Sequence, residues 1–375
     1  MRRVFLDVSR TISRLDAIIP TGIDRVERAY IDHVSDRYPD ALAIGGFGKE
    51  YMISPLRDFL LSIQLAGDMK SLTFQDRFRL KLRPQQRLTK SLLRRRHGLM
   101  SQRVFLQKMK ALSENKNRLL SVGHSRALQN LFSELSSMGL AVEFLLHDLI
   151  PVTHPEFCRP NIITQFKTYM EAIQKTASCV YAVSETTARS VVENHVFAGP
   201  VVARPGLTLS PQPWKPETEV PYFLVVGTVE PRKNLELLLD LWQKNNLPRL
   251  KIVGKSGWAA QSLFEKLENL KHDHRVEHLS EVKDFELANL YAGCQAILFP
   301  SHVEGFGLPL YEALSAGVPC IASDIPAFRE ATDGKLPLVD ASDPEGWLSA
   351  LSSPNRFISE ISIPTWDTHF AKVAL

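Results

Sequence analysis

The sequence predicts an α/β protein of two domains, each built on a parallel sheet, with the functional site in the cleft where the sheets face each other. Three observations carry this. Residues 296–324, AILFPSHVEGFGLPLYEALSAGVPCIASD, read as an apolar strand, a Gly-Phe-Gly loop, a helix and a second buried strand, which sets a glycine-lined helix start at the C-terminal edge of a parallel sheet. The strand, glycine turn and helix start return at Tyr222–Val226 with Gly227 and Asn234, and more faintly at Val4–Val8 with Gly22. Prolines and polar residues gather between Pro200 and Pro221 as in a linker, and 375 residues suffice for two cores. The expected bounds are 1–205 and 206–357, with a last helix over about 358–375.

In chain order, Val4–Val8 is a strand and T-G-I-D-R-V-E-R opens a helix with Ile23, Val26 and Tyr30 on one face. Residues 40–120 match no pattern. Strands follow at Arg118–Gly123, Val142–Leu146 and Cys179–Val183, and Ser184 caps the helix after the last of them. In the second half, Leu250–Val253 and Val276–Leu279 are strands, and Asn234 is placed to cap a helix. The helix Leu308–Ala316 begins with Pro309 in its first turn, where proline suits the backbone, and closes at Gly317.

Composition narrows the class. An apolar share of 44% with 9% aromatics describes a globular chain. The four cysteines form no CxxC pair and read as buried thiols of a reducing compartment. The start MRRVFLDVSR reads as a strand, not a signal peptide, and no apolar run approaches a membrane span, so a cytoplasmic protein is expected. The net charge of +4 hides an asymmetry: residues 1–210 hold 30 Lys and Arg against 19 Asp and Glu, leaving 15 against 22 for the rest of the totals of 45 and 41. Residues 70–118 alone hold 15 basic and 2 acidic residues, interleaved with Phe74, Phe78, Leu80, Leu82, Leu92, Leu93 and Phe105. That stretch suits an anionic membrane surface, on the inner face of the cytoplasmic membrane, or else a solvated helical face or loop; it carries no recognisable nucleic-acid module.

The chemistry gathers at helix starts. Gly305 and Gly307 would let the backbone approach a phosphate at the N-terminus of helix 308–316, beside Phe306 and Leu308. Glu304 and Glu312 flank it, and carboxylates there suit sugar hydroxyls on either side of a diphosphate, although either alone is also explained as a helix-dipole or solvated acid. Arg232 and Lys233, after Gly227, add two cations at a second helix start. His147 and Asp148 end a buried strand, where ligands of open α/β sheets sit.

E-G-F-G-L-P-x-x-E-A followed by A-G-V-P-x-I-A-S resembles the E-x7-E signature of the retaining glycosyltransferases of family 4, which have the GT-B fold of two Rossmann-like domains facing across a cleft; the resemblance implies that the last helix, about 358–375, returns to the first domain. G-x-x-x-P-R-K-N resembles the diphosphate loop of that family, and H-D-L-I-P its H-D-x-x-P segment, found in mannosyltransferase-like members. The resemblance implies that Glu304 faces the donor sugar with His147, that Glu312 holds the ribose, and that Arg232 and Lys233 neutralise the leaving diphosphate. It makes Lys255 a further cleft residue, and Gly22 and Arg25 contacts for acceptor or diphosphate. The implied reaction is hexose transfer from a nucleotide-sugar, GDP-mannose foremost, to a glycan or lipid-linked acceptor in bacterial polysaccharide synthesis. No cofactor or essential metal is expected, since no D-x-D pattern is present. An epimerase or phosphorylase on the same fold, or a sugar-nucleotide-binding module without turnover, is the alternative.

Overall fold

The structure is a computed structural model that describes residues 3–15, 20–71, 93–113, 117–209, 211–259, 261–272, 274–354 and 361–375. Two sheets carry it. In the first, β1 (Val4–Asp7), β2 (Leu42–Phe47), β3 (Glu50–Pro55), β4 (Met100–Ser101), β5 (Arg118–Ser121), β6 (Ala141–Leu146), β7 (Ala177–Ala182) and β8 (Val201–Val202) pair in the order β4-β3-β2-β1-β5-β6-β7-β8. In the second, β9 (Tyr222–Val226), β10 (Arg249–Val253), β11 (Val276–Leu279), β12 (Ala296–Phe299), β13 (Cys320–Ser323) and β14 (Leu338–Val339) pair in the order β11-β10-β9-β12-β13-β14, parallel throughout.

The apolar runs in the sequence become strands buried on both faces, as parallel strands under two helical layers must be. β1, β12 and β13 are buried at every position, and each sheet has one apolar cluster on either face. The helix Leu235–Lys244 shows how the second sheet is covered: Leu235, Leu238, Leu239 and Trp242 recur at helical spacing and point inward.

The first sheet departs from the all-parallel expectation. β2 and β3 form an antiparallel hairpin closed by Gly48 and Lys49, with Gly48 at φ +65°, and β4 extends it antiparallel. This hairpin and its neighbours occupy the stretch that matched no pattern. Leu93 and Phe105 are core residues, Phe105 lying against Tyr51 at 5.1 Å, so neither is available to a membrane. Phe74, Phe78, Leu80, Leu82 and Leu92 lie outside the described residues. Among the described residues no helix is long and apolar enough to cross a membrane.

The C-terminal helix Trp366–Val373 packs on the first sheet's helical layer. Phe370 stacks on His33 at 3.6 Å, and buried His369 donates from Nδ1 to Ala203 O and accepts at Nε2 from Tyr30 Oη. Arg118 ties the same helix down by donating to the carbonyls of Val373 and Ala374.

Candidate active site

A cavity of about 410 Å³ lies between the C-terminal edges of the two sheets. Its walls are the turns that follow β1, β6, β9, β10 and β12, because parallel strands deliver all of these to one edge. Glu304, His147, Arg232, Lys233, Glu312, Gly305, Phe306, Gly307, Leu308, Gly227, Lys255, Gly22, Arg25 and Asp148 all line it.

The second-domain wall is an ion cluster. Arg232 and Lys233 each reach a different oxygen of Glu304 at 2.5 Å, Ser301 Oγ donates to the same carboxylate at 2.8 Å, and Arg232 Nε also meets Glu230 at 2.6 Å. The Glu304 side chain is 9% exposed, so it is not a solvated loop acid. Burial would raise its pKa, but Arg232 and then Lys233 outweigh burial and hold the carboxyl well below the usual range. Glu304 is thus the counter-ion of the two cations. Gly227 makes this possible, since a Cβ there would press on Lys233 Cε at 3.0 Å. Asn234 sits at the helix start in the left-handed region, φ +51°, but does not cap with its side chain; its Nδ2 donates to Ala341 O instead.

The two loop glycines serve the protein itself. A Cβ on Gly305 would collide with His147 O, so this glycine lets the second domain's loop touch the first domain's strand end. Gly307 has φ +82° and lies against the Phe328 ring. Glu312, four residues into the helix Leu308–Ser315, is only 3% exposed and accepts from Tyr291 Oη at 2.9 Å. Burial pushes its pKa up to about 7 against the pull of nearby Arg25, which rules out a surface dipole acid. Arg25 lines the cavity, yet its guanidinium is held bidentate by Asp284 across the cleft, at 2.5 and 2.9 Å. Arg25 thus forms an interdomain ion pair at the cavity wall, and Gly22 nearby approaches Leu308.

On the first-domain wall His147 donates from Nε2 to Val122 O at 2.7 Å, and its backbone N–H donates to His124 Nε2. Burial, and next the neighbouring His124, drive its pKa down to about 3, so the ring is neutral with Nδ1 as its acceptor. This makes His147 a partner for a hydroxyl and not a general acid. Asp148 accepts from Ile150 N, and burial raises its pKa against the effect of Arg232.

Several cavity residues escaped the sequence reading. Arg10, anchored on Asp24 and Thr21, adds a cation from the turn after β1, and Glu230 immediately precedes the P-R-K-N segment that marked its neighbours. Arg10 carried only a weak signal, a basic residue just past a strand end.

The sequence model of the family described as "Glycosyl transferases group 1" matches residues 208–350. The serotype-specific mannosyltransferase WbdA of Escherichia coli is 31% identical over 259 residues, covering 58% of this chain and 31% of that protein. The O-antigen chain mannosyltransferase RfbU of Salmonella typhimurium is 30% identical over 224 residues, covering 58% of this chain and 62% of its own. The chain thus spans about a third of the length of the first such relatives. Among solved structures, HepE of Anabaena in complex with UDP superposes with a TM-score of 0.60 at 16% identity over 94% of this chain and 89% of that one. The sucrose-phosphate synthase of Thermosynechococcus elongatus gives 0.62 at 16% identity, over 94% and 90%. The scaffold is the GT-B fold, and residues 208–350 are similar to the group 1 glycosyl transferase family.

Proposed function

We propose that the chain is a retaining hexosyltransferase, moving mannose from a nucleotide-sugar to an acceptor hydroxyl during synthesis of a bacterial surface polysaccharide or lipid-linked glycan. One observation carries the reading: two cations, Arg232 and Lys233, meet a buried carboxylate beside a helix start, in a cavity shared with a neutral histidine of the other domain. A donor diphosphate takes the cations; Glu304, released from them, accepts sugar hydroxyls alongside His147 Nδ1, and Glu312 accepts from the ribose. As the bond from C1 to the diphosphate breaks, Arg232, Lys233 and the start of helix Leu308–Ser315 stabilise the charge, each such donor being worth ~2.7–4 kcal/mol. The acceptor oxygen bonds to C1 from the face the diphosphate leaves, and its proton passes to a phosphate oxygen.

Both named relatives are mannosyltransferases, which supports mannose as the sugar, and the H-D-L-I-P resemblance favours GDP as its carrier. The exposed cations Arg95, Arg96, Arg103, Lys108 and Lys110 support docking on an anionic membrane, to be checked by salt-reversible pelleting with anionic but not neutral liposomes. The reading itself is tested by diphosphate release from a panel of UDP-, GDP- and dTDP-sugars, with and without EDTA. Release from one donor, undiminished by EDTA, is expected. Epimerised donor without release would favour the epimerase alternative, and no turnover at all a binding module.

A further inference from the structure

A carboxylate of the second domain completes a helix start in the first. Glu330, in the helix Pro326–Ala331, accepts from the backbone N–H groups of Glu185 and Thr186, both at 2.9 Å, and from Thr186 Oγ1 at 3.0 Å. Its Oε1 also pairs with Arg204 at 3.0 Å, and the side chain is 11% exposed. The helix Glu185–Glu193 caps only one of its free N–H groups from its own domain, that of Thr187, which donates to Ser184 Oγ. The next two are taken by Glu330.

The same helical turn grips the glycine loop. Ser184 Oγ donates to Gly305 O at 2.6 Å, and Thr187 Oγ1 lies 3.2 Å from Gly305 O and 3.4 Å from His147 O. A bonded chain therefore runs from Glu330 through this turn to Gly305, which adjoins Glu304, and to His147. Phe328, on the Glu330 helix, supports Gly307. The other interdomain ion pair, Arg25 with Asp284, leaves Asp284 53% exposed and open to screening by salt.

From these contacts we infer that Glu330 is a positioning residue, a clasp that keeps the two domains closed so that His147 stands against Glu304 and the donor sugar. The inference about transfer rests on the function proposed above. Arg232, Lys233 and Glu312 all belong to the second domain, so nucleotide binding does not need the clasp, whereas turnover needs both domains.

The test compares wild type, Glu330→Ala and Glu330→Gln by solution X-ray scattering without ligand, by calorimetry with GDP and UDP, and by turnover of the active donor. The account expects a larger radius of gyration for Glu330→Ala, nucleotide affinity within about threefold of wild type, and kcat lower by at least about tenfold. Glu330→Gln keeps the volume but turns an amide N–H toward one of the backbone donors, and should fall between the two. A general loss of stability would instead weaken nucleotide binding along with turnover. Unchanged scattering and unchanged kcat in Glu330→Ala overturn the clasp; if that variant does not fold, a closed and fully active Glu330→Gln does so. A wild type that turns over no nucleotide-sugar sinks the proposed function, while the scattering still decides the clasp.

Discussion

Arg232→Met perturbs the cation on which the site is balanced. Arg232 bridges Glu304 at 2.5 Å and Glu230 at 2.6 Å, and its removal leaves the buried Glu304 carboxylate with one cation, Lys233, beside the Ser301 hydroxyl. Breaking a fully buried pair costs ~3–5 kcal/mol. Arg232 is 24% exposed and Lys233 remains, so about 2 kcal/mol is expected, or a fall in Tm of roughly 4–8 °C. Turnover should fall further, by ~10²–10³ in kcat/KM, because a donor facing developing charge is lost. Adding Glu304→Gln removes the stranded carboxylate, so the double variant should regain about 1 kcal/mol of stability without regaining activity. Thermal unfolding and steady-state kinetics on the two single variants and the double complete the cycle. A folded Arg232→Met with near wild-type kcat/KM refutes the role in leaving-group stabilisation, and a double variant no more stable than Arg232→Met refutes the charge balance.

Two further outcomes follow from the cavity. Glu312 keeps its proton up to about pH 7 in the folded protein, and the ionised form is the better acceptor for ribose hydroxyls, so nucleotide affinity should rise from pH 6 to pH 8 by calorimetry. The same raised pKa means that its contribution to stability is full below about pH 4.5 and lost as pH rises through 7; Glu312→Gln should abolish that slope and its share of the affinity change. Gly305→Ala sets a methyl against His147 O, and should cut kcat by at least about tenfold while GDP or UDP binding is kept; an unaffected kcat would show that the domains need not touch there.

What could be read from the sequence was short-range. The E-x7-E unit is legible because its turn glycines, Pro309 and the helix-facing Glu312 fall within one strand-loop-helix, where local backbone preferences decide the structure. The same holds for Tyr222–Val226 and its R-K pair. What escaped was contact between distant residues. Asp284 is 259 residues from Arg25, and Glu330 is 145 from Glu185; no local pattern marks either partnership. The two cations that hold Glu304 lie 72 and 71 residues away, on another turn, so no local pattern marks those ion pairs either. Phe105 was misplaced for a different reason. The helix Gln102–Leu112 buries Phe105 and Met109, four apart, and exposes Arg103, Lys108 and Lys110, so a core-facing stripe under a basic face resembles a membrane-binding segment. The β2–β3 hairpin was missed because its turn, Gly48-Lys49, is a weak signal between short strands.

The central claim is that this cleft breaks the bond between a sugar and its nucleotide diphosphate with retention at the anomeric carbon. Slow hydrolysis of the active donor in D₂O, followed by proton NMR before mutarotation, tests it without knowledge of the acceptor. The account predicts that an α-linked donor releases the α-anomer first, and that Arg232→Met abolishes this signal. Release of the β-anomer first would contradict it.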